Sequence, residues 1–356
     1  MLPNRMVVAP MCQYSAVHGQ ATDWHLMHWG NLLNSGAALF TIEATAVVPE
    51  GRITPACLGL WDDATEAALA DTLQRARKLA PHTAVCIQLA HAGRKASSAL
   101  PWAGAHLLSQ EEGGWQPVGP SAIGYKAGET PPKEMIAADM DTVREAFVAA
   151  ARRADRMGIE AIEIHNAHGY LLHEFLSPLS NQRTDAYGGS FENRIRYPLE
   201  VFAAVRAAFT GVLGLRISAS DWVEGGWDGD QSAEFSKRLK ALGCDFIHVS
   251  SGGNSPLQKI AAVPGYQVAL ARQVRDACGM VTMTVGLITE PEQAEAILQA
   301  GDADMVALAR AFLYQPRWGW QAAAVLGGSV QAQPAYWRCP PAGMASIFNN
   351  AAVAAR

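Results

Sequence analysis

Along the chain, short runs of consecutive apolar residues alternate with longer stretches in which apolar positions recur every three or four residues. The first pattern reads as strand and the second as amphipathic helix, so their alternation predicts βα units and a parallel sheet. Eight apolar runs stand out, at residues 6–9, 38–44, 84–89, 161–164, 213–218, 246–249, 281–285 and 304–307. Three intervening helices are clearly written. Asp141 can cap one whose apolar positions are Val143, Phe147, Ala150, Ala154 and Met157, with Gly158 past its end. A second begins near Phe191 and buries Ile195, Leu199, Phe202, Val205 and Phe209, with Pro198 early enough to tighten or kink its first turns. A third starts at Thr289, where Glu292 completes a capping box and Ala294, Ile297 and Leu298 face inward. Eight such alternations predict a (β/α)8 TIM barrel, a single domain over residues 1–338 with a tail at 339–356. A doubly wound dinucleotide fold fits less well, because no GxGxxG follows the first run. Two connections, 93–138 and 166–190, are too long for simple turns and read as lids or insertions at the C-terminal face.

In a barrel the chemistry sits at the C-terminal ends of the strands. The fourth run ends at His165, and His168, Gly169 and Tyr170 follow. A lone strand-end histidine is most often structural, but two histidines and a tyrosine within six positions concentrate proton-handling groups. Other strand ends offer Pro10, Met11, Cys12 and Tyr14; Ala44; Gln88 and His91; Arg216, Ser218 and Asp221; and Ser250 and Ser251. Gly286 after the seventh run and Ala309–Arg310 after the eighth stand where barrels commonly hold phosphate on backbone N–H groups. Arg216 lies among small apolar neighbours and needs an anionic partner, which a structural carboxylate could also supply.

Composition narrows the choice. The 356 residues are 49% hydrophobic and 17% charged, ample for a large core, and the formal net charge is −5. Lys and Arg are scattered, so neither a nucleic-acid nor an anionic-membrane partner is expected. Cys12, Cys57, Cys86, Cys244, Cys278 and Cys339 form no CxxC pair and no zinc spacing, so they read as reduced thiols of a cytoplasmic protein that binds no metal. No signal peptide or membrane-spanning run is evident.

The stretch HNAHGYLLHEFLSPLSNQRTDAYGGSFENR closely resembles the signature of the old yellow enzyme family of flavin-dependent ene-reductases. APMCQYSA, EATAVVPEGRIT, IQLAHAGRKAS, RISASDW and PGYQ resemble its thermophilic-like branch, which includes xenobiotic reductases, and the likeness runs from about Asn4 to Arg338. It implies FMN at the barrel mouth and NADPH or NADH as hydride donor. By that resemblance Ala9, Pro10, Met11 and Cys12 contact the isoalloxazine, Ala44 leaves room for it and Gln88 pairs with its pyrimidine edge. Arg216 places a cation where charge develops on reduction, and Gly286, Ala309 and Arg310 hold the phosphate. His165 and His168 correspond to the pair that donates hydrogen bonds to a carbonyl or nitro oxygen of the substrate, and Tyr170 to the acid that protonates the α carbon. Tyr14 corresponds to a substrate-side aromatic. Arg338, in PAYWRCPP, corresponds to an arginine that reaches a neighbouring subunit's active site, which implies a homodimer or homotetramer.

Three departures accompany the likeness. The chain starts almost at its first strand, without the family's hairpin beneath the barrel; Ala309 replaces a glycine; and the tail beyond Arg338 has no recognised counterpart. Three rivals remain. A barrel reducing uridine in tRNA would need a basic surface, a phosphate-binding lyase would need a lysine on a strand, and a degenerate barrel would bind flavin or enone without turnover.

Overall fold

Each of the eight apolar runs becomes a strand of one closed parallel barrel. In the computed structural model, which describes residues 2–340, 342–344 and 347–348, these are β1 (Met6–Val8), β2 (Leu39–Ala46), β3 (Ala84–Ala90), β4 (Ala161–Asn166), β5 (Val212–Ser218), β6 (Phe246–Ser250), β7 (Val281–Thr284) and β8 (Met305–Leu308). They pair in sequence order, and β8 closes on β1 through Met6↔Val306 and Val8↔Leu308. Continuous apolar runs suit this arrangement because both strand faces are covered; every residue of β2 and β4 is buried.

A helix follows each strand: α1 (Asp23–Leu33), α2 (Asp63–Leu79), α3 (Ala137–Arg156), α4 (Phe191–Ala208), α5 (Gly229–Ala241), α6 (Val268–Cys278), α7 (Pro291–Gln299) and α8 (Trp318–Leu326). Phe147, Phe202, Phe235 and Trp227 are buried between helices and sheet. Burying each such side chain contributes about 1.5–3 kcal/mol.

Several local expectations shift. Helix α3 starts at Ala137, because the Asp139 carboxylate reaches back to accept the Ile136 N–H at 3.0 Å; Asp141 lies inside it and pairs with Arg144 at 2.9 Å. Helix α7 starts at Pro291, whose fixed φ suits the first turn, and its N-cap is Glu290 rather than Thr289. The long 166–190 connection contains a helix at Leu171–Leu176 whose six residues are all buried. A helix covered on every side shows no polar period, which is why the pattern hid it. The 93–138 connection carries a two-stranded parallel ribbon, Val118–Gly119 with Lys133–Glu134. Beside the start of β1, Val330, Ala332, Ile347 and Phe348 pack with Trp320 and Ala323, and Met6 touches this cluster. Thus Ile347 and Phe348 of the 339–356 tail join the body, while residues 341, 345–346 and 349–356 lie outside the described residues.

Inside the barrel, Gln88 Nε2 donates to Glu163 Oε1 at 2.6 Å, and His248 Nδ1 meets Glu163 Oε2 at 2.7 Å. Gly214 stands opposite Glu163 on β5, and a Cβ there would meet the Phe246 ring at 2.4 Å. Gly214→Val is therefore expected to overpack the barrel and lower the unfolding free energy by about 1–3 kcal/mol. Denaturant titration checks this, and an unchanged midpoint would show that the layer yields freely.

Candidate active site

Alternation along β4 turns Glu163 and His165 to one side of the strand, and parallel pairing sets His165 beside Arg216 and Arg216 beside His248. As β4 ends, His165 Nδ1 accepts the Ala167 N–H at 3.2 Å, which puts the ring proton on Nε2. The chain then reverses through two residues at positive φ, His168 at +58° and Gly169 at +70°. A non-glycine in that region is strained, so something must hold it. His168 N–H donates to Ser218 Oγ at 2.9 Å, and its carbonyl accepts Lys95 Nζ at 2.8 Å. The next N–H, of Gly169, donates to His173 Nδ1 at 2.9 Å. His173 Nε2 in turn faces Asp221 Oδ1 at 3.1 Å, and Asp221 Oδ2 accepts from Ser177 Oγ at 2.5 Å and from Trp227 N–H at 2.9 Å. Burial alone would raise the Asp221 carboxyl, but His173 and these donors hold it below the usual range.

This clamp aims the two imidazoles. His168 Nε2 lies 2.7 Å from Ser250 Oγ, whereas Ser250 Oγ is 3.3 Å from Gln267 Oε1, which already accepts Ser251 Oγ–H at 2.6 Å. Ser250 Oγ–H has two acceptors in reach, Gln267 Oε1 and His168 Nε2; donated to the nearer one, it leaves the His168 proton on Nδ1. His165 Nε2–H and His168 Nδ1–H then converge with their nitrogens 3.4 Å apart, two donors facing one point. Burial first and Arg216 second push both imidazoles well below their ordinary pKa, so both are neutral. The Tyr170 ring packs edge-on against His165 with centroids 4.8 Å apart, and burial drives its hydroxyl well above the ordinary phenol range, so it stays protonated.

Arg216 is 8% exposed, and its Nε has no hydrogen-bond partner. The nearby carboxylate, Glu163, spends its oxygens on Gln88 and His248 instead. Burial would raise that carboxyl; His248, Arg216 and Gln88 together hold it low, so a negative charge stays in the barrel. Ala9 and Ala44 are buried and small, and Pro10, Met11 and Cys12 follow β1. The Glu43 carboxylate accepts the Gln13 N–H at 2.8 Å and so holds the segment carrying Cys12 and Tyr14. Burial, then Cys57 and Glu43, push the Cys12 thiol up, so it is not a thiolate. Tyr14, at φ +50°, sets its ring 6.0 Å from Trp102.

Beyond β7 and β8 lies a cavity of about 550 Å³ lined by Gly286, Ala309, Arg310 and Trp318. Gly286 has φ +120°, and a Cβ there would meet the Gln267 amide at 2.5 Å, so only glycine fits. Ala309 is the N-cap of the short helix Arg310–Tyr314. Gln267 also donates to Val285 O at 2.6 Å and thereby ties the histidine pair to this cradle. A buried guanidinium whose Nε has no partner among the described residues, a small-residue wall and a glycine cradle fit an anionic planar cofactor with a phosphate. Arg338 is exposed and is not brought to the histidine pair of its own chain. Lys95, His173, Gln267 and Glu163 escaped the reading of strand ends. Glu163 and His248 were nevertheless signalled by polar residues at two-residue spacing, in EIH and HVS.

A closed parallel barrel with these features fits a protein that holds a phosphate-bearing cofactor at its mouth. The chain belongs to the NADH:flavin oxidoreductase / NADH oxidase family, whose model matches residues 1–326, and thus to the FMN-dependent, NAD(P)H-using oxidoreductases of the old yellow enzyme type. An NADH:flavin oxidoreductase of Gibberella zeae is 45% identical over 336 residues, covering 88% of this chain and 80% of that protein. An NADPH dehydrogenase of a Geobacillus species is 42% identical over 340 residues, covering 95% and 94%. Among solved structures, morphinone reductase superposes with a TM-score of 0.75 at 27% identity, covering 94% of this chain and 88% of that one. Among the described residues no helix is long and apolar enough to cross a membrane.

The buried histidines set a pH dependence. Burial pushes His28 and His91 down to about 4, and lowers His165, His168 and His248 as well. Unfolded, each takes a proton as pH falls through roughly 6.5, whereas folded they resist it down to their lowered values. Stability from these groups is present above about pH 6.5 and is lost as pH falls toward 4. Glu43 and Glu174, both raised by burial, oppose the trend but are fewer. The melting temperature is expected to fall between pH 7 and pH 5; a flat or rising profile would contradict neutral burial of the histidines.

Proposed function

We propose that this protein is an ene-reductase that reduces the C=C bond of α,β-unsaturated carbonyl or nitro compounds. The observation that carries the reading is the pair of neutral imidazoles whose His165 Nε2 and His168 Nδ1 lie 3.4 Å apart; with a proton on each, they converge on one point. Reduction of an activated alkene builds negative charge on the carbonyl or nitro oxygen, and preorganised donors stabilise it as it forms. Because neither imidazole is charged, each gives a hydrogen bond without losing its proton to the product.

Tyr170 then holds the proton for the α carbon, with water as the alternative donor, since a phenol raised by burial is a weak acid. The chemistry that bound FMN supplies is the relay of a hydride from the nicotinamide to the β carbon of the alkene. Toward that cofactor, Ala9, Pro10, Met11, Cys12 and Ala44 form the wall, and Gln88 and Arg216 the polar edge. Gly286, Ala309 and Arg310 take the phosphate. Arg216 balances the negative charge of the reduced state. Tyr14 lines the substrate side. NADPH or NADH and the alkene use one place in turn, which gives ping-pong kinetics. The names of the relatives support a nicotinamide donor: NADPH dehydrogenase for one, and for morphinone reductase a solved complex with tetrahydroNAD. Exposed Arg338 fits a role across a subunit boundary in a homo-oligomer.

The visible spectrum tests the reading: flavin bands should bleach with anaerobic NADPH and return on adding 2-cyclohexenone, whereas bands that stay bleached would exclude enone reduction. In stopped-flow experiments, His165→Ala should keep its FMN and slow reoxidation by the enone on the order of 10²–10³-fold. Reduction by NADPH should change far less. Equal rates in wild type and variant would remove His165 from the donor pair.

A further inference from the structure

Next to the histidine pair is a second, smaller cavity of about 210 Å³, walled by Tyr14, Ile53, Lys95, Tyr125, Lys126 and Glu129. It is below the usual size of a whole-ligand site, so it suits a substituent of something bound at the histidines. Besides Lys126, two cations line it, Lys95 and Arg94. The half-buried Lys95 ammonium gives two of its three N–H bonds to His168 O and Gly253 O, at 2.8 and 3.0 Å. It sits 4.6 Å from the Tyr125 ring centre and 5.1 Å from that of Tyr170. Arg94 is buried and donates only to neutral oxygens: Ile123 O, Gly124 O, and the carbonyl and side-chain oxygens of Asn254; its Nε has no partner. Among the described residues no side-chain carboxylate lies at ion-pair distance from either cation.

The nearest acid does not compensate. Glu174 accepts the Arg94 backbone N–H at 2.8 Å, its other oxygen has no partner, and burial pushes it up to about 8, so it is mostly protonated at neutral pH. Lys126 is offset by Glu129, 3.8 Å away at the rim. Apart from Glu129, which is committed to Lys126 at the rim, the cavity offers these two cations no carboxylate, a costly arrangement unless a ligand supplies an anion. Tyr14, Ile53 and Tyr125 make the walls aromatic and apolar, which favours an organic anion over a bare inorganic one.

We infer that this cavity is a subsite for an anionic group, a carboxylate carried by the alkene substrate and read by Lys95 with Arg94 behind it. The inference rests on the ene-reductase reading and narrows it to acidic enones. A phosphate of the nicotinamide coenzyme has the same chemistry, so the test separates the two sources.

The experiment uses the FMN-loaded enzyme with 5-carboxy-2-cyclohexenone and its methyl ester, an uncharged analogue of nearly the same shape. The acid should show a kcat/KM roughly 10-fold or more above the ester, as expected for a hydrogen bond to a charged group. Lys95→Gln, which keeps an amide donor for His168 O but no charge, should bring that ratio close to one. An acid reduced no better than its ester would overturn the inference, and so would a Lys95→Gln variant whose acid-to-ester ratio is unchanged, whatever loss common to both follows from loosening the hold on His168 O. If Lys95→Gln instead weakens only the reductive half-reaction, more for NADPH than for NADH, the anion is the coenzyme phosphate and the substrate assignment falls. If neither enone reoxidises the enzyme, the ene-reductase reading fails by itself. Spectral titration of the oxidised enzyme with acid and ester then still decides the subsite: tighter acid binding that is lost in Lys95→Gln supports it, and equal binding refutes it.

Discussion

The left-handed turn at His168 is the constraint on which the site depends. A non-glycine residue at φ +58° is held there from both sides of its peptide units: Ser218 takes its N–H, Lys95 binds its carbonyl, and His173 takes the N–H of Gly169. These three come from β5, the loop after β3 and the buried helix Leu171–Leu176, so the turn gathers distant parts of the chain. Asp221 orients His173 and is itself fixed by Ser177 and Trp227. Without the turn, the His168 ring would have no reason to face His165.

Electrostatics and geometry both support the role proposed for the turn. The barrel keeps one carboxylate, Glu163, committed to Gln88 and His248, and leaves Arg216 Nε without a partner among the described residues. Burial, with the field of Arg216 second, discourages protonation of His165 and His168 and leaves them neutral. The same field partly offsets the burial that keeps Tyr170 protonated. The site is therefore suited to stabilise negative charge as it appears on a bound molecule. Gln267 joins this half of the site to the Gly286 cradle, because one amide accepts from Ser251 and donates to Val285.

The barrel was legible because its strands are apolar on both faces and end in abrupt polar punctuation, so each run announces a strand and a strand end together. Helix starts were less legible. Asp141 looked like a cap, yet Asp139, two residues earlier, has the reach to bond the Ile136 N–H. The Leu171–Leu176 helix left no period because it has no wet face. The histidine pair, Tyr170 and Arg216 could be picked from strand ends, whereas their assigned roles came from family likeness rather than from spacing. Lys95, His173 and Gln267 act through contacts 73, 4 and 18 residues away along the chain, and no local pattern encodes the longer two. Arg338 remains exposed, and a role for it belongs to an assembly rather than to one chain.

The central claim is that His165 and His168 are neutral and present Nε2–H and Nδ1–H to a common point. Nitrogen-15 NMR of histidine-labelled protein reads this directly, since the two ring nitrogens of each imidazole report tautomer and charge. The account predicts a neutral Nε2–H tautomer for His165 and a neutral Nδ1–H tautomer for His168, with neither titrating between pH 7.5 and about 5. A shared proton shift near pH 6.5, or a His168 protonated at Nε2 alone, would contradict it.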